Sequence, residues 1–424
     1  MKKLQPITAY YLRDAVWALN SGLIFNSLWV FYIEGLRLSM VQLSLIFVVI
    51  SVTVLLFEVP TGIVADVYGR RLSVIIGGVF IGLCYTLTGL LPFFWVALLA
   101  AFIEAIGDTF VSGALQAWIT DEVSANNVGP VFLRSQQIST VAHWVGILMG
   151  VVLAARFGYL FPVLLGGLSW FVLSAVLILL MPETKFVRCA AEEQGVASLQ
   201  QSARGALAIF VEGTRLVRGS PTLVLLFIAQ MFIAIFADSF YKLSRAHFLR
   251  GLSLPTIAVP FIGALKDNAW FGIFDALQGA FGLLSAEAVR RTINLNNSRV
   301  VARTLVGFYG AVVVGVVVFA ITGQFVVAVG AWLVITVLNQ LAEPIINTWL
   351  NQNIPSEVRA TVLSMGSQLN MAGTLGGGPA IGAASDRFGL RAGLVLTSLL
   401  LVPVIALYGR RISHTTGFGN NNSR

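Results

Sequence analysis

Eight carboxylates sit within or at the edges of long apolar runs: Asp14, Glu34, Glu58, Glu104, Asp108, Asp238, Asp275 and Glu343. An acid buried without a basic partner disfavours its charged form and takes up a proton more readily, which is the property a proton-carrying group needs. Glu104 and Asp108 are four residues apart, so on a helix they share one face, and two like charges that close do not ionise together easily. Glu343 precedes Pro344, whose missing N–H frees a backbone carbonyl and is expected to kink the helix. No lysine or arginine is expected deep in any of these runs. Asp14, Glu34 and Asp275 read equally well as hydrogen-bonded structural acids or as helix-end residues.

The elements that must position these acids are membrane helices. Charged residues make up 11% of the 424 and hydrophobic ones 57%, with a mean hydropathy of +0.86. A soluble domain carries roughly 25% charged residues. A spanning helix needs about 20 apolar residues, and the chain has room for twelve with short loops. They are expected at about 10–33, 40–65, 72–91, 93–120, 131–155, 160–181, 221–241, 269–289, 302–322, 325–350, 360–384 and 392–409. This divides the chain into an N-terminal six-helix bundle over 1–181, a polar cytoplasmic linker over 182–220, a C-terminal six-helix bundle over 221–411 and a polar tail over 412–424 that is expected to be disordered. The longest external segment is 242–268. The stretch from Asp238 to Leu249 is too polar to face lipid throughout, and reads as the seventh helix continuing past the bilayer.

Nineteen of the 27 lysines and arginines fall on the side shared by both termini, Arg13 among them, and eight on the other, including Lys242 and Arg245. Cytoplasmic loops carry the excess of basic residues. Both termini are therefore expected in the cytoplasm, with the chain crossing the cell (inner or plasma) membrane many times. The net charge of +8 belongs to loop anchors between apolar runs and is not a nucleic-acid signal. Cys84 and Cys189 provide no disulfide framework. Lys2 and Lys3 precede an uncut first helix, so no cleaved signal peptide is expected.

The two halves repeat. A shift of 220 places Gly62, Arg70 and Arg71 on Gly282, Arg290 and Arg291, with Glu287 one residue past the place of Asp66. A shift of 231 places Arg156-Phe-Gly158 on Arg387-Phe-Gly389. Glu104 and Glu343 sit at similar depth in the fourth and tenth helices. A six-helix unit used twice, with substrate near the midplane, is a recurrent transporter plan.

The most specific stretch is Glu58-Val-Pro-Thr-Gly-Ile-Val-Ala-Asp66-Val-Tyr-Gly69-Arg70-Arg71. Two apolar helices must reverse here within about six residues, and lipid cannot satisfy such a turn, so it lies at a membrane surface. Gly62 would let a neighbouring helix approach closely. Asp66 can accept hydrogen bonds at the positive end of a helix, Gly69 permits the reversal, and Arg70 and Arg71 hold the turn in the cytoplasm and can pair with acids on adjacent helices. With this G-x-x-x-D-x-x-G-R-R spacing the sequence resembles the major facilitator superfamily of secondary transporters, whose signature loop between the second and third helices has the same pattern. The Glu58-Val-Pro-Thr-Gly stretch resembles its drug-exporter-like branches. The resemblance covers the whole chain in architecture and about 58–71 at motif level.

The resemblance implies an all-α integral membrane fold, with twelve transmembrane helices in two pseudo-symmetric six-helix bundles. It implies a central cavity lined by the first, fourth, seventh and tenth helices, which would make Asp14, Glu104, Asp108, Asp238 and Glu343 the proton-coupling and substrate residues. It implies a cytoplasmic gate of Asp66 and Arg70, with Asp121 as the expected partner of Arg70. Glu58, Gly62, Gly69 and Arg71 belong to the same gate, and Arg134 and Arg359 begin the fifth and eleventh helices in comparable places. Pro355 to Ser364 resembles the superfamily's loop before the eleventh helix. Trp17, Asn20, Gln116, Trp118, Asn339 and Gln340 are among the candidate cavity-wall residues, though membrane-core packing explains each aromatic as well. Three features depart from the family pattern. The fourth helix lacks the proton-relay arginine, the fifth has Gly146 and Gly150 without the antiporter Gly-Pro, and the second copy of the signature loop has lost most of its pattern.

No enzyme is expected. His143, His247 and His414 are dispersed, there is no Cys/His metal spacing and no Ser/His/Asp set, and no phosphate-binding Gly-Lys-Ser/Thr loop is present, which argues against ATP as the driver. The expectation is a monomeric alternating-access exporter of small lipophilic, cationic compounds, in contact with lipid, driven by the proton gradient and needing no metal or cofactor. Two alternatives stand beside it. An uptake symporter or facilitator of a sugar or organic acid is one, and an anion carrier would be expected to put arginine or lysine inside the cavity. A non-transporting receptor on the same scaffold is the other.

Overall fold

The structure, a computed structural model, describes residues 3–124, 127–185, 219–252, 254–259, 263–265, 267–293, 297–354 and 359–414. Most of the described chain is helix. The first, α1 (Pro6–Val30), starts on a proline whose fixed φ suits a first turn and runs on into a π-helical turn, Phe31–Gly35. Then come α2 (Met40–Tyr68), α3 (Arg70–Leu90), α4 (Phe94–Val123), α5 (Val128–Phe157) and α6 (Leu160–Leu180). The second half has α7 (Pro221–Arg250), α8 (Asn268–Thr292), α9 (Ser298–Ile321), α10 (Phe325–Gln352) and α11 (Arg359–Phe388). The twelfth expected helix is broken at Leu400 into α12 (Leu390–Leu399) and α13 (Leu401–His414).

Ten of the described helical stretches are long and apolar enough to cross a membrane. The other two long ones, α8 and α11, have the length, 25 and 30 residues. They are diluted by Asp275, Glu287, Arg290 and Arg291 in α8, and by glycines, Gln368 and Asn370 in α11. Leu55, Leu56 and Val59 of α2, Leu133 and Leu148 of α5 and Val326 of α10 are exposed. Apolar surface on this scale is stable against lipid, not water.

The chain forms two compact units. One comprises Met1–Leu38, Leu45–Gly195 and Pro255–Gly272, the other Ser39–Ser44, Val196–Leu254 and Ile273–Arg424. Their internal packing follows one scheme. In the first unit α1 packs on α5 and α6, and α3 on α4 and α6. In the second, α7 packs on α11 and α12, and α9 on α10 and α12. The repeat seen in the sequence is thus a repeat of helix pairs. Glycines bring the paired helices close: Gly146 and Gly150 of α5 face the Leu19 and Leu23 carbonyls of α1, and Gly377 and Gly378 of α11 face Ile235 and Asp238 of α7. The first unit's core holds Trp118, Ile119, Trp170 and Leu173, while the second is rich in rings, Phe248 lying 5.2 Å from Phe319 and 4.6 Å from Phe274.

The same reversal recurs at three turns. Gly69, Gly158 and Gly389 have φ of 111°, 91° and 93°, a left-handed region that glycine enters without strain. Each N–H still bonds the carbonyl four residues back. The seventh helix continues past the expected end to Arg250, as its polar stretch indicated. The remainder of the segment expected to be external adds an antiparallel hairpin that the sequence did not announce, Ile257–Val259 with Gly263–Leu265, pairing Ala258 with Ala264. Trp270 Nε1 donates to the Pro255 carbonyl at 2.8 Å beside it. Of the expected linker, 182–185 is described and fastened to the first unit; 186–218, Cys189 included, lies outside the described residues, as do 355–358 and 415–424.

Candidate functional site

The α3–α4 pair builds the site. Gly77 of α3 and Gly107 of α4 face each other's backbone carbonyls, and this close seam brings two α3 side chains onto Glu104 of α4. The Tyr85 hydroxyl donates to Glu104 Oε1, and Cys84 Sγ lies 3.8 Å from Oε2. Thr88 Oγ1 donates to the Cys84 carbonyl at 3.0 Å. Tyr32, in the π-helical turn, is within electrostatic reach of both Cys84 and Glu104. Glu104 is half-buried, and Asp108, one turn on, is exposed. Among the described residues neither makes an ion pair; Glu104 feels the charge of Asp108, and Asp108 that of Arg13.

The remaining acids differ, and this corrects the expectation of acids without bases. Asp14 pairs with Arg13 at 2.9 Å and accepts from Ser135 Oγ at 2.6 Å. Arg13, expected among the cytoplasmic anchors, is 7% exposed, with its guanidinium about 6.0 Å from the Trp17 ring and 5.9 Å from that of Trp170. Within the second unit, Lys242 Nζ is 2.7 Å from Asp238, and Arg245 is 3.8 Å from Asp275 and stacks over Tyr241. Both cations, expected in an external segment, are buried. The cause is helix length and register. At 1.5 Å per residue α7 runs about 45 Å, longer than a hydrocarbon core of about 30 Å. Its outer turns carry Asp238, Lys242 and Arg245 on one face, where they pair inside the unit. Gly378 closes this site, since a Cβ there would lie 2.9 Å from Asp238 Oδ2.

Glu343 is exposed, and α10 runs on through Pro344. Asn347 and Asn351 follow on the same face. An open pocket of about 600 Å³ lies there, lined by Pro344, Asn347, Thr348, Asn351, Gln352 and Arg359. Trp118, a candidate wall residue, is instead buried, its Nε1 donating to the Pro182 carbonyl at 2.9 Å. Asn20 is buried and accepts from Ser169 Oγ.

At the signature turn, Arg70 pairs with Asp121 as the motif implied. The Arg71 side chain donates to the Ile178 carbonyl and, among the described residues, pairs with no acid. Its backbone N–H donates to Glu183 Oε1 at 2.9 Å, and the Glu183 carboxylate fills the space beside Gly69. Asp66 is exposed with no hydrogen bond or ion pair among the described residues. Gly62 has nothing within 4 Å of where a Cβ would stand, so no helix among the described residues uses it for close approach, contrary to expectation. Glu58 is exposed. Arg134 donates to Gln137, and Arg359 to the Ile354 carbonyl at 3.4 Å.

Three acids escaped the sequence reading. Glu122 accepts from the Thr184 amide at 2.5 Å, its hydroxyl at 2.6 Å and the Lys185 amide at 3.2 Å. With Glu183 it clasps the start of the linker. Asp386 accepts from the Met40 and Val41 amides at 2.8 and 3.0 Å, inside the second unit. The signal for Asp386 was present: Gly382-Ala-Ala-Ser-Asp386-Arg-Phe-Gly389 repeats the spacing of Gly62, Asp66 and Gly69.

A helical membrane chain with this turn and this pairing scheme has counterparts. The family model described as the Major Facilitator Superfamily matches residues 15–378. The chain belongs to the major facilitator superfamily. It is a multi-pass membrane transporter of the MFS type, a class that is not enzymatic. It is 23% identical, over 95% of each chain, to YxaM of Bacillus subtilis strain 168, an uncharacterised MFS-type transporter. Among solved structures it is similar to the nucleoside transporter NupG, with a TM-score of 0.63 at 10% identity over 96% of this chain and 99% of that one. A bacterial homologue of the human lysosomal transporter Spinster gives 0.65 at 15% identity over 97% and 98%. A POT family transporter in complex with 5-aminolevulinic acid gives 0.63 at 14% over 96% and 95%. At these identities the structural likeness shows the fold alone.

Proposed function

We propose that this MFS chain carries a small organic solute by alternating access, driven by protons that bind at Glu104 and Asp108, with no cofactor. The observation that carries the reading is the choice of partners around Glu104. A membrane acid tied to arginine or lysine is held charged. Glu104 has a hydroxyl and a thiol instead, and its neighbour Asp108 is open to exchange. An intramembrane acid so placed is by default a functional site. Asp14 and Asp238, each tied to its own cation, take structural or conformational roles in this reading, and Glu343 remains a second proton candidate on α10.

Two solute classes compete. The acid pair on α4 favours export of a lipophilic cation, which also fits the Glu58-Val-Pro-Thr-Gly resemblance. The alternative is uptake of a small polar solute with protons, and Arg13, Lys242 and Arg245 would serve an anionic group on it only where their pairs with Asp14, Asp238 and Asp275 open. Purified chain in liposomes under an imposed pH gradient separates them, with ethidium, a labelled nucleoside and a labelled dipeptide as probes. One probe class is expected to move with protons, and Glu104→Gln is expected to cut that coupled movement by at least about tenfold, the effect of losing one hydrogen-bonded ionisable group. Unchanged coupling in both Glu104→Gln and Glu343→Gln would sink the assignment.

A further inference from the structure

Tyr85 and Cys84 are consecutive on α3, and each addresses a different oxygen of one carboxyl group. Cys84 is buried and Tyr85 half-buried. Among the described residues, neither makes an ion pair or hydrogen bond with another charged side chain of the first unit. We infer that Tyr85 is a positioning residue for Glu104, holding its carboxyl group in one orientation through both protonation states. The inference rests on the proton site proposed above.

The chemistry follows from the donors available. With Glu104 ionised, the Tyr85 O–H donates to Oε1 and the Cys84 S–H points at Oε2. A proton arriving on Oε2 faces the Cys84 sulfur, a weak acceptor as well as a weak donor, while Oε1, now a carbonyl oxygen, still accepts from Tyr85. No bond to the protein other than that proton is made or broken, and the carboxyl plane stays fixed. A lysine or arginine in the place of Tyr85 would offer only donors and a fixed charge, and would favour the ionised form alone. The seam of Gly77 against Gly107 supplies the short reach, and the Thr88 bond to the Cys84 carbonyl steadies the α3 turn that presents both groups.

Infrared difference spectra between acid and alkaline pH, on the full chain in lipid nanodiscs, test this without a known solute. The band lost in Glu104→Gln identifies the protonated Glu104 carbonyl. Tyr85→Phe is expected to shift that band to higher wavenumber and broaden it, because the carbonyl loses its donor. Cys84→Ala is expected to leave its position in place. Loosened packing alone would lower the thermal midpoint of both variants alike without separating their bands. A Tyr85→Phe band at the parental position overturns the inference and leaves the proton site standing. If Glu104→Gln removes no band, the proton site itself falls, and the inference with it.

Discussion

At the residue scale, what matters most is which charges are paired. Asp238 and Lys242 are four apart on α7, 2.7 Å from each other and largely buried. Removing one partner of such a pair strands the other, at a cost of about 3 kcal/mol, whereas replacing both by residues of similar shape is close to neutral. Lys242→Met or Asp238→Asn alone is therefore expected to lower the unfolding free energy by about that amount in detergent, and the double variant to recover most of it. A double-mutant cycle by chemical denaturation reads the difference; simple addition of the two losses would show that the pair is not coupled. Arg70 and Asp121 are a contrast, with side chains 22% and 47% exposed. Pairs of that kind contribute about 0–1 kcal/mol, so Arg70→Ala is expected to cost little stability. Part of this was legible beforehand. The four-residue spacing of Asp238 and Lys242 was in plain view, but a polar stretch after an apolar run was read as external, and its cations as anchors. Arg13 and Asp14 are neighbours in sequence, a spacing that does not ordinarily bring side chains together on a helix, and only the packing of α1 against α5 and α6 reveals their shared burial.

At the element scale, helix identity, order and the six-helix repeat followed from hydropathy, because a membrane span leaves little choice of backbone. The ends did not. α1 was expected to start near 10 and starts at Pro6, and α4 reaches Val123, since polar turns beyond the bilayer carry no apolar signal. The hairpin at 257–265 was missed for a different reason: it is apolar, but each strand is only three residues long and Pro260 and Gly263 interrupt the run, so it shows no strand-length period. Contacts such as Asp386 with Met40, 346 residues apart, are set by tertiary packing. Glycine placement is where local sequence and packing meet, and two positions on α5 separate the effects. A Cβ on Gly146 would overlap the Leu19 carbonyl oxygen, while one on Gly129 meets nothing within 4 Å. Gly146→Ala is expected to destabilise by about 1–3 kcal/mol through overpacking. Gly129→Ala is expected to be neutral or to stabilise by up to about 1 kcal/mol through helix propensity. Thermal midpoints of the two variants in the same detergent compare them directly, and equal shifts would mean that the α1–α5 seam is not tight.

At the scale of the whole molecule, the open quantity is orientation, and the burial of Arg13, Lys242 and Arg245 changes how it must be argued. Those three cations are paired or stacked inside their units, so they say little about which loops face the cytoplasm. The remaining arginines still favour the side shared by the termini in the expected topology: Arg70, Arg71, Arg134, Arg290, Arg291, Arg299, Arg303, Arg359 and Arg410 fall there, against Arg37, Arg156, Arg250, Arg387 and Arg391 opposite. Positive charge is retained on the cytoplasmic side of short loops, so Lys3 is expected inside the cell and Gln324, in the turn between α9 and α10, outside. Cysteine labelling decides it with little disturbance, because Cys84 is 3% exposed and replacing Cys189 by serine leaves no other thiol. On that background Gln324→Cys is expected to react with a membrane-impermeant maleimide in intact cells, and Lys3→Cys only after the cells are opened. The reverse pattern would turn the molecule over. It would put the Arg70–Asp121 turn on the outer surface, and the proton coupling proposed above would run in the opposite sense across the membrane.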